Sequence, residues 1–128
     1  FKGTIVIRST CDPNWLSHQD GIIYWPEFLR ERTANYDATH PHIVVIGGPQ
    51  KAVEWFENYL KDKKHGYTAR CTLTDVKTAS LIKLSLNSAL AAKIAMFNSI
   101  YQLCDNFVCD YGVVRDSVAS DPRMSELY

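Results

Sequence analysis

From Thr74 to about Phe107 the chain runs without a single proline or glycine. These two residues are the strongest local breakers of helix, so a stretch this long without either permits one continuous helix. At 1.5 Å per residue it would be about 50 Å long, far more than a small domain needs for its own core. "TLTD" offers a capping-box-like start. Between Leu84 and Leu103 the segment is apolar nearly all round, with Leu86, Leu90, Ile94, Phe97 and Ile100 spread over its faces. A helix of that kind must be covered on several sides. A chain of 128 residues cannot supply all the cover. A second subunit is therefore expected, through an interface above about 2,000 Å². A shorter helix, 111–121, follows after a turn.

The first seventy residues follow a different pattern. "TIVIRS" (4–9) is a continuous β-branched run, as expected of a strand buried on both faces. "GIIYW" (21–25), "HIVVIGG" (42–48) and "TARCTL" (68–73) read as three more strands, with "CDPNWLSHQD" as a loop between the first two. "PQKAVEWFENYLKDKKHG" (49–66) reads as a helix. Pro49 suits its first turn, Val53, Phe56 and Leu60 share a face, lysines gather at its end, and Gly66 stops it. This order implies a parallel α/β sheet followed by an all-α part, with the change at 72–73. "FKGTIVIRST" has no initiator methionine or signal peptide, and "DPRMSELY" stops without a capping glycine. The expectation is a piece of a longer protein.

Composition removes some functions. Acidic and basic residues are equal at 14 each, which gives no electrostatic reason to expect nucleic acid or a membrane surface. No run of about 18 apolar residues lacks charges, so no bilayer-spanning segment is expected. Cys11, Cys71, Cys104 and Cys109 have neither zinc-site spacing nor the density of a disulfide scaffold. They read as reduced thiols in a cytoplasmic protein, with no metal site.

A few polar residues interrupt the apolar helix. Lys83 stands between Ile82 and Leu84, with Ser80 three before it and Asn87 four after it, on one helical stripe. Such a lysine either snorkels to solvent or is buried beside carboxylates or an anionic ligand. In "PEFLRE", Pro26 would open a helical turn with Glu27 and Glu31 at i and i+4. That is either an ordinary acidic first turn or a carboxylate pair aimed at one ligand. Ser9 and Thr10 end the first strand, where open α/β sheets bind ligands and where hydroxyls also serve as caps.

Read in order, "IRST", "PEFLRE", "TA" with Asp37, "IVVIGG", "LIKLSLNSALAAKIAMFNSI" and "DPR" resemble the nucleotide-sugar dehydrogenases, the UDP-glucose and GDP-mannose 6-dehydrogenases. The likeness covers nearly the whole chain. The "FNSIYQLCD" turn is closer to the animal UDP-glucose enzymes. The resemblance implies that residues 1–72 are the last parallel strands of a Rossmann-type NAD-binding domain. Residues 73–128 would then be a central helical domain that builds a homodimer. It also implies oxidation of a sugar-nucleotide C6 hydroxyl to a carboxylate with two NAD, through a cysteine-bound thiohemiacetal and thioester.

The resemblance assigns roles to individual residues. Thr10 would help hold the catalytic water, and Glu27 would assist proton transfer or thioester hydrolysis. Lys83 and Asn87 would surround the reacting oxygen, which requires the Lys83 and Glu27 side chains to converge within about a bridging water's reach. Phe28, Leu29 and Arg30 would line the sugar nucleotide, largely through backbone, with Glu31 near sugar and nicotinamide. Ser9 and Thr10 would also face the cofactor. Arg123 would reach the partner subunit's site.

Several positions depart from the pattern. Trp25 stands where asparagine is usual, Arg32 where glycine or serine is common, and Ser80 where glutamate is. The connection from Thr10 to Glu27 is several residues short, which would trim a helix to a loop. Neither a G-x-G-x-x-G fingerprint nor the glycine-rich cysteine loop falls within the chain. The chain alone is expected to be inactive. Two alternatives are a non-catalytic dimerisation module from a diverged relative and an unrelated small α/β protein.

Overall fold

The structure is a computed structural model and describes residues 4–62 and 69–125. The lysines at 63 and 64, Gly66 and Thr68 lie outside the described residues. The elements run β1 (Ile5–Ile7), α1 (Pro13–Ser17), β2 (Ile22–Tyr24), a 3-10 turn (Glu31–Thr33) and α2 (Ala34–Thr39). They continue through β3 (Val44–Gly47), α3 (Gln50–Asp62), β4 (Cys71–Thr74), α4 (Val76–Asn106), α5 (Tyr111–Ala119) and α6 (Pro122–Ser125). Packing divides the chain into two compact units after Ser85, inside α4.

In the first unit the four strands lie in sequence order. β1 pairs parallel with β2 from Ile5–Ile22 to Ile7–Tyr24, and β3 with β4 from Val44–Cys71 to Gly47–Thr74. β2 and β3 meet antiparallel, at Tyr24 and Gly47. The sheet is thus mostly rather than wholly parallel.

Alternating side chains sort the sheet into two faces. Ile23, Val44 and Ile46 pack on Val53, Phe56 and Leu60 of α3. Ile22, Tyr24 and Val45 pack on Leu16 of α1 and Ala79 of α4. Burying each large side chain contributes about 1.5–3 kcal/mol, so the two faces together give this small sheet its core. β2 and β3 are buried throughout, whereas Ile5 on β1 is 51% exposed. The expectation of a first strand buried on both faces fails because, among the described strands, β1 lies at the edge of the sheet beside β2.

Two local readings are corrected. Residues 11–20 are not simply a loop. The Asp12 carboxylate accepts from the Asn14 and Trp15 backbone N–H groups at 2.7 and 2.9 Å, and Pro13 opens the short α1 behind this cap. Residues 25–30, expected to be a helical turn, are non-helical. The Trp25 N–H donates to the Ile7 carbonyl at 2.8 Å and the Glu27 N–H to the Arg8 carbonyl at 3.4 Å. These bonds hold the segment alongside the end of β1. Glu27 and Glu31 therefore do not share a helical face.

α4 starts where Asp75 accepts from the Thr78 N–H at 2.9 Å and the Thr78 hydroxyl at 2.6 Å. Its 31 residues span about 46 Å. Gly47 lies hard against this start: a Cβ there would be 2.7 Å from the Ala79 Cβ and from the Asp75 carbonyl oxygen. In the second unit α4 ends in a Schellman turn. The Cys109 N–H donates to the Cys104 carbonyl at 2.8 Å and the Val108 N–H to that of Asp105 at 3.2 Å, with Val108 at φ 55°. Asp110 caps α5, which stops at Ala119, and α6 follows as a separate turn.

Among the described residues after Ser85, Cys104 alone is buried. Ile94 is 64% and Phe107 74% exposed. By length and composition α4 is also apolar enough to cross a membrane, despite the charges that made this unexpected.

Candidate functional site

Three pieces of the first unit converge. The first is the end of β1, the second the 25–30 segment that β1 holds, and the third the opening turns of α4. Ser80, fully buried, donates its hydroxyl to the Cys11 carbonyl at 2.7 Å and ties α4 to the loop after β1. One turn further on, Lys83 Nζ donates to the Glu27 carbonyl oxygen at 2.6 Å and lies 5.1 Å from the centre of the Phe28 ring. Burial pushes the Lys83 pKa below its ordinary value, and the Glu27 charge opposes that shift. Lys83 and Glu27 are 56 residues apart in sequence. They meet through the glutamate's backbone.

Arg30 is held from the other side. The Asp37 carboxylate accepts from the Arg30 backbone N–H at 3.0 Å, Arg30 Nε at 3.0 Å, Arg30 Nη2 at 2.7 Å and the Thr33 hydroxyl at 2.9 Å. Those donors hold its pKa far below the usual carboxylate range. Arg30 Nη2 also lies 3.3 Å from His42 Nε2. Phe28 packs against the sheet's second face, and Leu29 is exposed. Glu31 starts the 3-10 turn and lines an open groove of 510 Å³ with Arg32, Thr33, Asn35 and Tyr36. The cleft that Glu27 lines with Arg8, Trp25 and Phe28 measures 20 Å³, room for about one water.

Ser9 and Thr10 are exposed at the end of β1, with Ser9 Oγ 3.5 Å from Cys11 Sγ. Asn87 sits on α4 four residues beyond Lys83, in the second unit, exposed. Arg123 lies in the same unit at the start of α6, its guanidinium bound to Asp121 with Nη2–Oδ2 at 2.6 Å. Trp25, the departure next to Pro26, turns into the core, edge-on to Phe56 at 5.2 Å with the Arg8 guanidinium 4.1 Å over its ring. The four cysteines are free thiols, and burial pushes Cys71 up to about 11, the opposite of an activated nucleophile. Among the described residues no group of three His, Cys, Asp or Glu could hold a metal.

Sequence reasoning singled out Asp37 only as part of a motif and passed over Tyr24. The Tyr24 hydroxyl is fully buried without a hydrogen bond of ordinary geometry, and burial raises its pKa. No sequence signal marks such a hydroxyl. For Asp37 the signal was available, in a carboxylate seven residues after an arginine across a turn.

Residues 77–128 match the UDP-glucose/GDP-mannose dehydrogenase family, central domain. The chain is similar to the UDP-glucose 6-dehydrogenase of Rickettsia bellii, 32% identical over 134 residues, covering 97% of this chain and 31% of that protein. Its fold is similar to a GDP-mannose dehydrogenase from Pseudomonas aeruginosa, with a TM-score of 0.81 and 27% identity over 92% of this chain and 30% of that one. It is also similar to a UDP-glucose dehydrogenase from Pyrobaculum islandicum, with a TM-score of 0.77 and 26% identity over 94% and 30%. The chain thus spans less than a third of the length of these relatives. The mostly parallel sheet, the long helix after it and these matches agree: the chain is similar to part of the UDP-glucose/GDP-mannose dehydrogenases, and residues 77–128 match that family's central domain.

Proposed function

We propose that this chain works as part of a longer nucleotide-sugar dehydrogenase that oxidises the C6 hydroxyl of a sugar nucleotide, UDP-glucose in first place, to a carboxylate with two NAD. The observation that carries the reading is the 2.6 Å bond from Lys83 to the Glu27 backbone. It brings the lysine of the long helix onto the glutamate segment at the end of a parallel strand, the edge where open α/β sheets bind ligands.

In this reading Lys83 is the positive charge beside the reacting C6 oxygen. Already partly desolvated, it stabilises a developing alkoxide, a contribution typically worth about 10²–10³ in rate for one good donor. Asn87 supplies a neutral donor to the same oxygen. Glu27, with Thr10 holding the water, is the base for hydrolysis of the thioester. The thioester forms on a cysteine outside this chain, since Cys11, Cys71, Cys104 and Cys109 do not match the expected loop. Phe28, Leu29 and Arg30 line the sugar nucleotide, and Arg123 serves the partner's site.

The exposed Ser9 and Thr10 hydroxyls at the end of β1, and Glu31 beyond them, suit the nicotinamide end of NAD. The pyrophosphate cradle belongs to residues outside this chain. NAD, when bound, accepts the hydride. A homodimer through α4 and a cytoplasmic location, with neither nucleic acid nor membrane as partner, complete the proposal.

The test is an assay of the full-length polypeptide with NAD and a panel of sugar nucleotides, following reduced cofactor. Turnover of UDP-glucose supports the reading, and no turnover with any member of the panel ends it. One observation favours the alternative of a non-catalytic helical dimerisation module: the cleft at Glu27 is 20 Å³, against the several hundred that ligand pockets enclose. On that alternative the full-length protein associates but never reduces NAD.

A further inference from the structure

We infer that Asp37 is a positioning residue, which sets the segment from Glu27 to Glu31 by gripping the turn that follows it. The inference rests on the dehydrogenase reading and adds to it a group with no assigned role.

Asp37 is 1% exposed, yet its charge is not stranded. Its two oxygens receive four donors, and all four come from Arg30 and Thr33. The Arg30 backbone N–H at 3.0 Å fixes the main chain at the end of the segment. The guanidinium closes over the carboxylate through two nitrogens, the forked geometry that ties direction as well as distance. The Thr33 hydroxyl at 2.9 Å fixes the far end of the turn. Arg30 has extended backbone, φ −89° and ψ 133°, so the grip holds the chain out of the helix that its sequence suggests. At the other end the segment is held by the Arg8 carbonyl and by Lys83. Glu27, Phe28 and Leu29 are therefore strung between two anchors. One of these is the buried carboxylate.

This arrangement also changes what Arg30 does. Its side chain is 62% exposed, but its Nε and Nη2 are committed to Asp37. The side chain serves as a clasp. A group placed within reacting distance by such a clasp loses rate steeply when it shifts by about 1 Å, by as much as 10²-fold.

The experiment uses the full-length polypeptide with UDP-glucose and NAD. Asp37→Asn keeps the shape but cannot accept from all four donors. The expected result is a folded protein whose kcat falls between about tenfold and 10²-fold. Hydrogen exchange of the Arg30 amide should become faster while β3 and α3 amides keep their protection. Thr33→Ala should lower kcat several-fold, and Thr33→Ser, which keeps the hydroxyl, should restore it. That pair decides the matter if Asp37→Asn does not fold. Unchanged kcat and KM in folded Asp37→Asn, or in Thr33→Ala, beside an active wild type overturns the positioning role and leaves the dehydrogenase reading standing. A wild type that turns over no sugar nucleotide overturns both.

Discussion

The two units treat their apolar residues in opposite ways. The sheet unit puts Ile22, Ile23, Tyr24, Val44, Val45 and Ile46 into two faces and covers each with helices of its own. The helical unit carries Leu90, Ile94, Tyr101, Leu103 and Phe107 largely in the open. A chain of one composition thus contains a segment satisfied by its own contacts and a segment whose apolar surface is left exposed among the described residues. Hydrophobicity read along a sequence does not separate the two. The period does: alternation in a strand names two faces that short helices can cover, whereas an all-round apolar helix names more faces than its neighbours can fill.

The sharpest way to break this contrast is to delete one large side chain in each unit. Phe56→Ala should destabilise the chain by about 3–5 kcal/mol in denaturant titration, because the ring is enclosed between Trp25 and the sheet. Ile94→Ala should cost far less in the monomer, since that residue is exposed. Equal losses at the two sites would remove the distinction.

A smaller effect is expected from Gly47→Ala. Its methyl would meet Ala79 and the Asp75 carbonyl at 2.7 Å, and overpacking of this kind costs about 1–3 kcal/mol. Ile94→Glu tests the proposed cover of the helical unit. Sedimentation should show a dimer giving way to a monomer with the sheet unit still folded, whereas a wild type already monomeric at micromolar concentration would count against the interface.

The smallest change has the opposite sign. Val108 adopts φ 55° at a turn that favours glycine, and its side chain is 94% exposed. Val108→Gly should therefore raise stability by about 1 kcal/mol, measured as a shift in the unfolding midpoint.

Acid should act on the sheet unit through Asp37. Its folded pKa lies below the unfolded value, so its contribution is present above about pH 4 and is lost as pH falls further toward the folded value. Unfolding midpoints between pH 6 and pH 3 should drop more for the wild type than for Asp37→Asn. Equal slopes would show that the carboxylate is not gripped in solution.

The sequence made the interior strands plain, because "IVVIGG" and "GIIYW" are runs that only a covered sheet can use. It made α3 plain through Val53, Phe56 and Leu60, and α4 through the absence of breakers. It misled at "PEFLRE", where proline followed by glutamate imitates a helix start while the backbone obeys hydrogen bonds to Ile7, Arg8 and Asp37. Local pattern carries no information about those partners. The Asp12–Pro13 cap lay in view within a stretch read as loop, and the exposure of Ile5 depended on strand order, which the first strand's own residues do not encode. The meeting of Lys83 with Glu27 spans 56 residues: a buried lysine's need for a carboxylate made Glu27 a candidate partner, and the resemblance required the two to converge.

The proposed chemistry centres on Lys83, where the end of β1, the glutamate segment and the long helix come together. Single-turnover reduction of NAD by UDP-glucose in the full-length polypeptide, compared with Lys83→Ala, measures that directly. A loss of about 10²–10³ in the rate of hydride transfer, with the fold retained, is the predicted result. An active wild type whose Lys83→Ala variant transfers hydride at the same rate would contradict it.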